Sequence, residues 1–233
     1  MTQSTPTELI LLGTGYATAT RCYNTCFALR NADSYFLVDG GGGNGILVQL
    51  EKAGIPLASV REVFVTHAHT DHILGVVWVV RMWAQLLGKG KAEGSFTVYA
   101  HDLALEVLDW VCRKTLPAKT AARIGQGIRL CELRDGDCFR AAGMEGRCFD
   151  IGSTKAKQFG FRLTLPGGQT LACLGDEPYN ARNRAWVEGA DWLLCEAFCL
   201  HADRDRFKPY EKHHSTALDA GRLAGELGVR HLL

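Results

Sequence analysis

Apolar and polar positions along this chain repeat with two different periods, and the switches between them delimit its elements. Short apolar runs at residues 8–13, 25–30 and 34–38 are bounded by turn residues, which predicts strands. Asn31-Ala32-Asp33 predicts a hairpin turn between the second and third. Asp39 and four glycines follow, and helical spacing over 46–53 predicts an amphipathic helix that Gly54 and Pro56 stop. The pattern then alternates: strand 60–66, long apolar helix 73–87, strand 96–100, helix 103–115, strand 128–133. Beyond it the runs are short and β-like, at 148–151, 160–165 and 170–174, with Pro166-Gly167-Gly168 as the turn between the last two. A helix at 183–188, a strand at 192–196, a helix at 216–227 and a strand at 229–233 complete the expectation. Thr216 and Asp219 have the spacing of a capping box.

Hairpins first, βα alternation in the middle and β-then-α afterwards predict an α/β (α+β) protein of two sheets packed together with helices outside. A single doubly wound sheet is the competing layout. No linker, repeat or low-complexity segment interrupts residues 1–233, so one domain is expected. Charge removes some function classes. Lys and Arg number 26 against 25 Asp and Glu, so no overall field draws the chain onto nucleic acid or an anionic membrane. The nine cysteines form no regular framework: Cys22/Cys26 and Cys195/Cys199 are spaced i, i+4, and no CxxC pair completes a zinc ribbon. Reduced thiols used as small hydrophobes, no basic leader and no membrane-length apolar run make the cytoplasm the expected compartment.

The densest chemistry is Thr66-His67-Ala68-His69-Thr70-Asp71-His72, at a strand-to-helix junction. Imidazole and carboxylate are good ligands for zinc and similar metals. In an extended loop His67 and His69 point to the same side and can share one ion. Asp71 and His72, at the helix start, turn towards a second. Two such metals roughly 3.5–4 Å apart can stabilise both attacking and leaving oxygens. The bland alternative is a surface histidine cluster.

This HxHxDH segment resembles the signature of the metallo-β-lactamase superfamily. Leu12-Gly13-Thr14-Gly15 and Leu37-Val38-Asp39-Gly40-Gly41 are similar to the first two motifs of its ribonuclease Z-like branch. Leu174-Gly175-Asp176, Cys195-Glu196-Ala197-Phe198 and His214-Ser215-Thr216 resemble later motifs, in the expected order. The resemblance implies an αββα sandwich of two mixed β-sheets flanked by helices. It also implies a metal-dependent hydrolase, commonly of phosphodiesters, acting through a metal-bound hydroxide. The implied metal ligands are His67, His69, Asp71, His72 and Asp176, with Asp176 bridging. Asp71, Glu196 and His214 are the implied catalytic residues, His214 transferring a proton and Glu196 orienting it.

The resemblance breaks in two places. The branch has a histidine before its Gly-Tyr/Phe segment, whereas residues 151–160 contain none. Its last ligand histidine follows the final strand; His231 comes too early for that role, and the domain is expected to lack its C-terminal end. Lys155 stands in the altered stretch either as a group for a substrate phosphate or as a solvated loop lysine. The expected cofactor is one or two zinc ions, with manganese or iron as alternatives. The expected partner is a small phosphodiester or RNA, with no membrane, and a homodimer is compatible. The competing expectations are a thioester or lactone hydrolase of the same fold, and a metal-binding protein with impaired catalysis.

Overall fold

The computed structural model describes residues 6–233, and the chain divides into two compact units. The first is Met1–Leu133 with Arg140–Gly143; the second is Arg134–Phe139 with Met144–Leu233. The first unit holds strands β1 (Glu8–Gly13), β2 (Cys26–Asn31), β3 (Ser34–Val38), β4 (Val60–Phe64), β5 (Phe96–Ala100) and β6 (Ile128–Glu132). They form one six-stranded sheet in the order of the sequence. Its first three strands are antiparallel, whereas β3 through β6 run parallel. Parallel neighbours need crossover connections, which helices α1 (Gly45–Lys52), α2 (Thr70–Gly88) and α3 (Asp102–Thr115) and the single turn α4 (Ala118–Ala121) supply.

Helix α2 explains why the sequence needs so many apolar residues there. Ile73, Val76, Val77, Val80, Trp83 and Ala84 recur at helical spacing and are all buried. Burying each large apolar side chain contributes about 1.5–3 kcal/mol. Trp83 stacks on Phe96 with ring centroids 5.3 Å apart, and its indole N–H donates to the Val60 carbonyl at 2.8 Å. The only polar atom of that side chain is thereby satisfied. At the other end the helix lies hard against the glycine loop after β3. A Cβ on Gly75 would stand 1.7 Å from the Gly40 oxygen, and Gly75 N–H donates to the Gly41 carbonyl at 2.7 Å. Glycine is required because backbone meets backbone.

The second sheet comprises β7 (Cys138–Ala141), β8 (Met144–Asp150), β9 (Phe159–Thr164), β10 (Thr170–Cys173), β11 (Trp192–Leu194) and β12 (His231–Leu232), again six strands in sequence order, and β8 through β12 lie in the second unit. The β8–β9–β10 strands are antiparallel, and β10–β11–β12 run parallel. The helices of that unit are the single turns α5 (Arg184–Val187) and α6 (Arg204–Phe207) and the longer α7 (Ala217–Glu226). Phe149, Ala172, Leu174, Val187, Leu193 and Leu227 form its apolar core. Thr216 and Asp219 close the expected capping box on α7.

Three differences from the sequence reading have physical reasons. Helix α2 starts at Thr70 rather than residue 73, because Thr70, Asp71 and His72 face the site and hide the apolar period. Strand β7 was not expected: its turn is Ala142-Gly143, both at positive φ, without the Asn-Gly or Asp-Gly signal of such hairpins. Short helical turns at His201–Asp203, Arg204–Phe207 and Tyr210–Lys212 are too brief to show a period. No helix among the described residues is long and apolar enough to cross a membrane.

Candidate metal centre

The ends of β3 and β4 run side by side in parallel, so the loops leaving them meet at the C-terminal edge of the sheet, where open α/β sheets place their sites. Asp39 leaves β3 with φ +57°, a left-handed conformation that turns its side chain back towards β4. The carboxylate is buried and accepts three hydrogen bonds. Thr66 N–H reaches Oδ1 at 2.8 Å, Thr66 Oγ1 reaches Oδ2 at 2.8 Å, and His72 Nδ1 reaches Oδ2 at 2.7 Å.

These bonds fix the imidazole tautomers. A hydroxyl has one proton, and Thr66 spends its own on Asp39; towards His67 Nδ1, 2.9 Å away, it is an acceptor. His67 is therefore protonated on Nδ1, and its Nε2 is an acceptor. His72 donates from Nδ1 to Asp39, which likewise leaves Nε2 as its acceptor nitrogen. The two rings lie 4.1 Å apart, and a ligand nitrogen of each falls within 4.8 Å of the other's. Both side chains are buried, so neither nitrogen is turned outwards to bulk water. His69 is exposed, and its Nδ1 sits 3.0 Å from His67 Nε2. An Nδ1 proton bridges that pair; its replacement by a cation would put two nitrogens on one ion. Asp71 extends the array, its Oδ2 3.5 Å from His72 Nε2. Oriented neutral imidazoles backed by a buried carboxylate are the donor chemistry of a zinc-type site, and the residues present fit such an ion.

The sequence reading thus had His67, His69, Asp71 and His72 together, and the structure gathers all four. It gave Asp39 and Thr66 no role. The available signal was an acidic residue directly after a buried strand, followed by glycines, which is also an ordinary turn sequence.

The remaining candidates lie in the second unit. Asp176 follows β10 and Gly175, which has φ +74°, and its backbone N–H meets Gln158 Oε1 at 3.4 Å. Glu196 and His214 come together as expected, with Nδ1 3.2 Å from Oε2. Glu196 is held by the Ser215 N–H at 2.6 Å on Oε1, and the Phe198 ring stacks on the imidazole at 4.9 Å. A carboxylate that accepts from Nδ1 can orient an imidazole ring for proton transfer. Sequence had left Lys155 undecided; its Nζ is 3.4 Å from His214 Nε2. His231, discounted as a ligand, stacks on Trp192 at 4.1 Å. His101 caps α3 by accepting from the Ala104 N–H.

Comparison with known proteins adds a lineage to this geometry. A family model described as "Anti-Pycsar protein Apyc1" matches residues 7–168. A ribonuclease Z of Streptomyces avermitilis is 27% identical, over 97% of this chain and 85% of its own. Among solved structures, the metallo-β-lactamase fold protein YhfI of Bacillus subtilis superposes with a TM-score of 0.74 at 21% identity, covering 98% of this chain and 85% of that one. The short form of human tRNase Z gives 0.74 at 21% identity, covering 96% and 90%.

Proposed function

The chain belongs to the family described as anti-Pycsar protein Apyc1 and is a hydrolase of the metallo-β-lactamase fold, and from that premise we propose that it is a metal-dependent phosphodiesterase. The observation that carries this reading is the Asp39–Thr66 network, which engages Nδ1 of both His67 and His72 and so makes Nε2 the acceptor nitrogen of each buried ring. A divalent ion such as zinc supplies Lewis acidity towards a phosphoryl oxygen and lowers the pKa of water to about 7. His67 and His69 would hold a first ion, and Asp71 and His72 a second.

The chain's own groups account for the rest. Glu196 keeps the His214 ring oriented by accepting from Nδ1, which leaves Nε2 to hand a proton to the leaving oxygen. Near-zero net charge supports a small phosphodiester over RNA as substrate. Nine cysteines without a disulfide fit a reducing compartment, and the cytoplasm is the location this reading assigns.

Elemental analysis of chelator-free protein, with His67→Ala beside it, tests the centre. About two equivalents of metal per chain, lost in the variant, are expected. A metal-free wild type would sink the reading. Turnover of a bis-aryl phosphodiester against thioester and lactone substrates tests the bond, and preference for either alternative would move the substrate class.

A further inference from the structure

The second unit contains a cation whose placement the proposed chemistry does not yet use. Lys155 lies in an exposed loop, yet that loop is not loose. Ser153 Oγ donates to the buried Glu177 at 2.6 Å and accepts from the backbone N–H groups of Lys155 and Ala156 at 3.1 and 3.2 Å. The loop is thereby pinned, and it presents the Lys155 ammonium to His214 Nε2 at 3.4 Å. Neighbouring carboxylates are otherwise engaged: Glu177 by Ser153, and Glu196 by His214 Nδ1 and the Ser215 N–H. Among the described residues no carboxylate pairs with Lys155. Its ammonium rests on an imidazole nitrogen, at the long limit of a hydrogen bond.

That is a weak contact for a charged donor. An ammonium bonded to an oxyanion gains roughly twice what it gains from a neutral acceptor. A phosphate oxygen arriving beside His214 would therefore draw Lys155 away from Nε2. Two further consequences follow. While the Lys155 ammonium donates to Nε2, the lone pair of that nitrogen is occupied and cannot take up a proton. Once a substrate oxygen has taken the ammonium, Nε2 is open and the nearby positive charge is neutralised.

Resting on the phosphodiesterase reading above, we propose that Lys155 is a substrate-recognition residue that gates the acid. It binds a non-bridging oxygen of the substrate phosphate, and by leaving Nε2 it lets His214 take a proton from solvent. His214 keeps its Nδ1 proton on Glu196 throughout, gives the Nε2 proton to the leaving oxygen and returns to the neutral ring. The gate responds to the substrate's anionic oxygen, so neutral esters and lactones do not open it.

The test uses the full chain as purified with its metal, with Lys155→Met and Lys155→Arg beside it. Lys155 is exposed, so neither variant threatens the fold. Loss of one charge-assisted bond should raise KM for a bis-aryl phosphodiester, and the Kd of inorganic phosphate, by about tenfold to a hundredfold in Lys155→Met. Lys155→Arg should recover most of that loss. Inorganic phosphate should also shift the His214 imidazole nitrogen resonances in the wild type and leave them unmoved in Lys155→Met. Unchanged KM and phosphate Kd in Lys155→Met, or the same resonance shift in both proteins, would overturn the proposal. If the wild type turned over no phosphodiester, the functional reading would fail by itself, and the phosphate titration would still decide for or against Lys155.

Discussion

Asp39 touches no expected metal or substrate, yet it sets the tautomers of His67 and His72 through two oxygens and the Thr66 hydroxyl. Asp39→Asn isolates that role, since Asn tolerates the left-handed backbone that the position requires. Its amide can accept on one atom only, so the bond to Thr66 or the bond to His72 must reverse or break. Outer residues of this kind tune metal affinity by about ten- to a hundredfold. Competition with a chromophoric chelator should show such a loss with far-UV circular dichroism unchanged, and wild-type affinity would dismiss the orienting role. The same scale shows why the site was half legible. His67, His69, Asp71 and His72 announce themselves because four ligand types crowd one junction. Asp39 and Thr66 act from separate strands with residues common in any turn, and only the pairing of β3 with β4 brings them together. Lys155 was ambiguous for a related reason, since its partner stands at position 214 and no spacing rule links them.

Two glycines at the level of elements carry opposite requirements. Within α2, Gly75 is where the helix meets the loop after β3, and an added methyl would fall 1.7 Å from the Gly40 oxygen. The helical preference of Ala over Gly, about 1 kcal/mol, is smaller than the about 1–3 kcal/mol typical of overpacking. Gly75→Ala should therefore lower the melting temperature by roughly 2–8 °C and weaken metal binding, because the helix carrying Asp71 and His72 must shift. Gly221 lies inside α7 with nothing within 4 Å of its would-be Cβ. Gly221→Ala should raise the melting temperature by roughly 2–4 °C, since only propensity acts. Equal effects at the two sites, read by differential scanning calorimetry, would contradict the contact at Gly75. Elements with a long apolar face, α2 and α3, were legible because burial imposes a period. The β7–β8 hairpin was not, because Ala142 adopts φ +47° without a residue type that advertises it.

Over the whole molecule, the metallo-β-lactamase fold expected from six motifs in order is the fold the chain has. None of its nine cysteines forms a disulfide among the described residues. Burial pushes Cys112, Cys148 and Cys195 up to about 12, which leaves these thiols inert at neutral pH. Cys22, Cys131 and Cys138 are exposed. A disulfide-exchange reagent at pH 8 should titrate these three rapidly in the native protein, and the buried Cys26, Cys112, Cys148 and Cys173 only on unfolding. Rapid reaction of all nine would mean the cores open readily.

Strand order has a consequence for how the molecule is born. Each sheet lists its strands as the chain does, so every new strand docks on the one synthesised before it. A ribosome emits about 5–20 residues per second, and domains tend to fold as they emerge. The sheet from β1 to β6, with the histidine loop after β4, has all its strands in hand while Asp176, Glu196 and His214 are still untranslated. Assembly is thus written in temporal order: the histidine loop and the sheet that carries it are complete before the first strand of the second sheet is made.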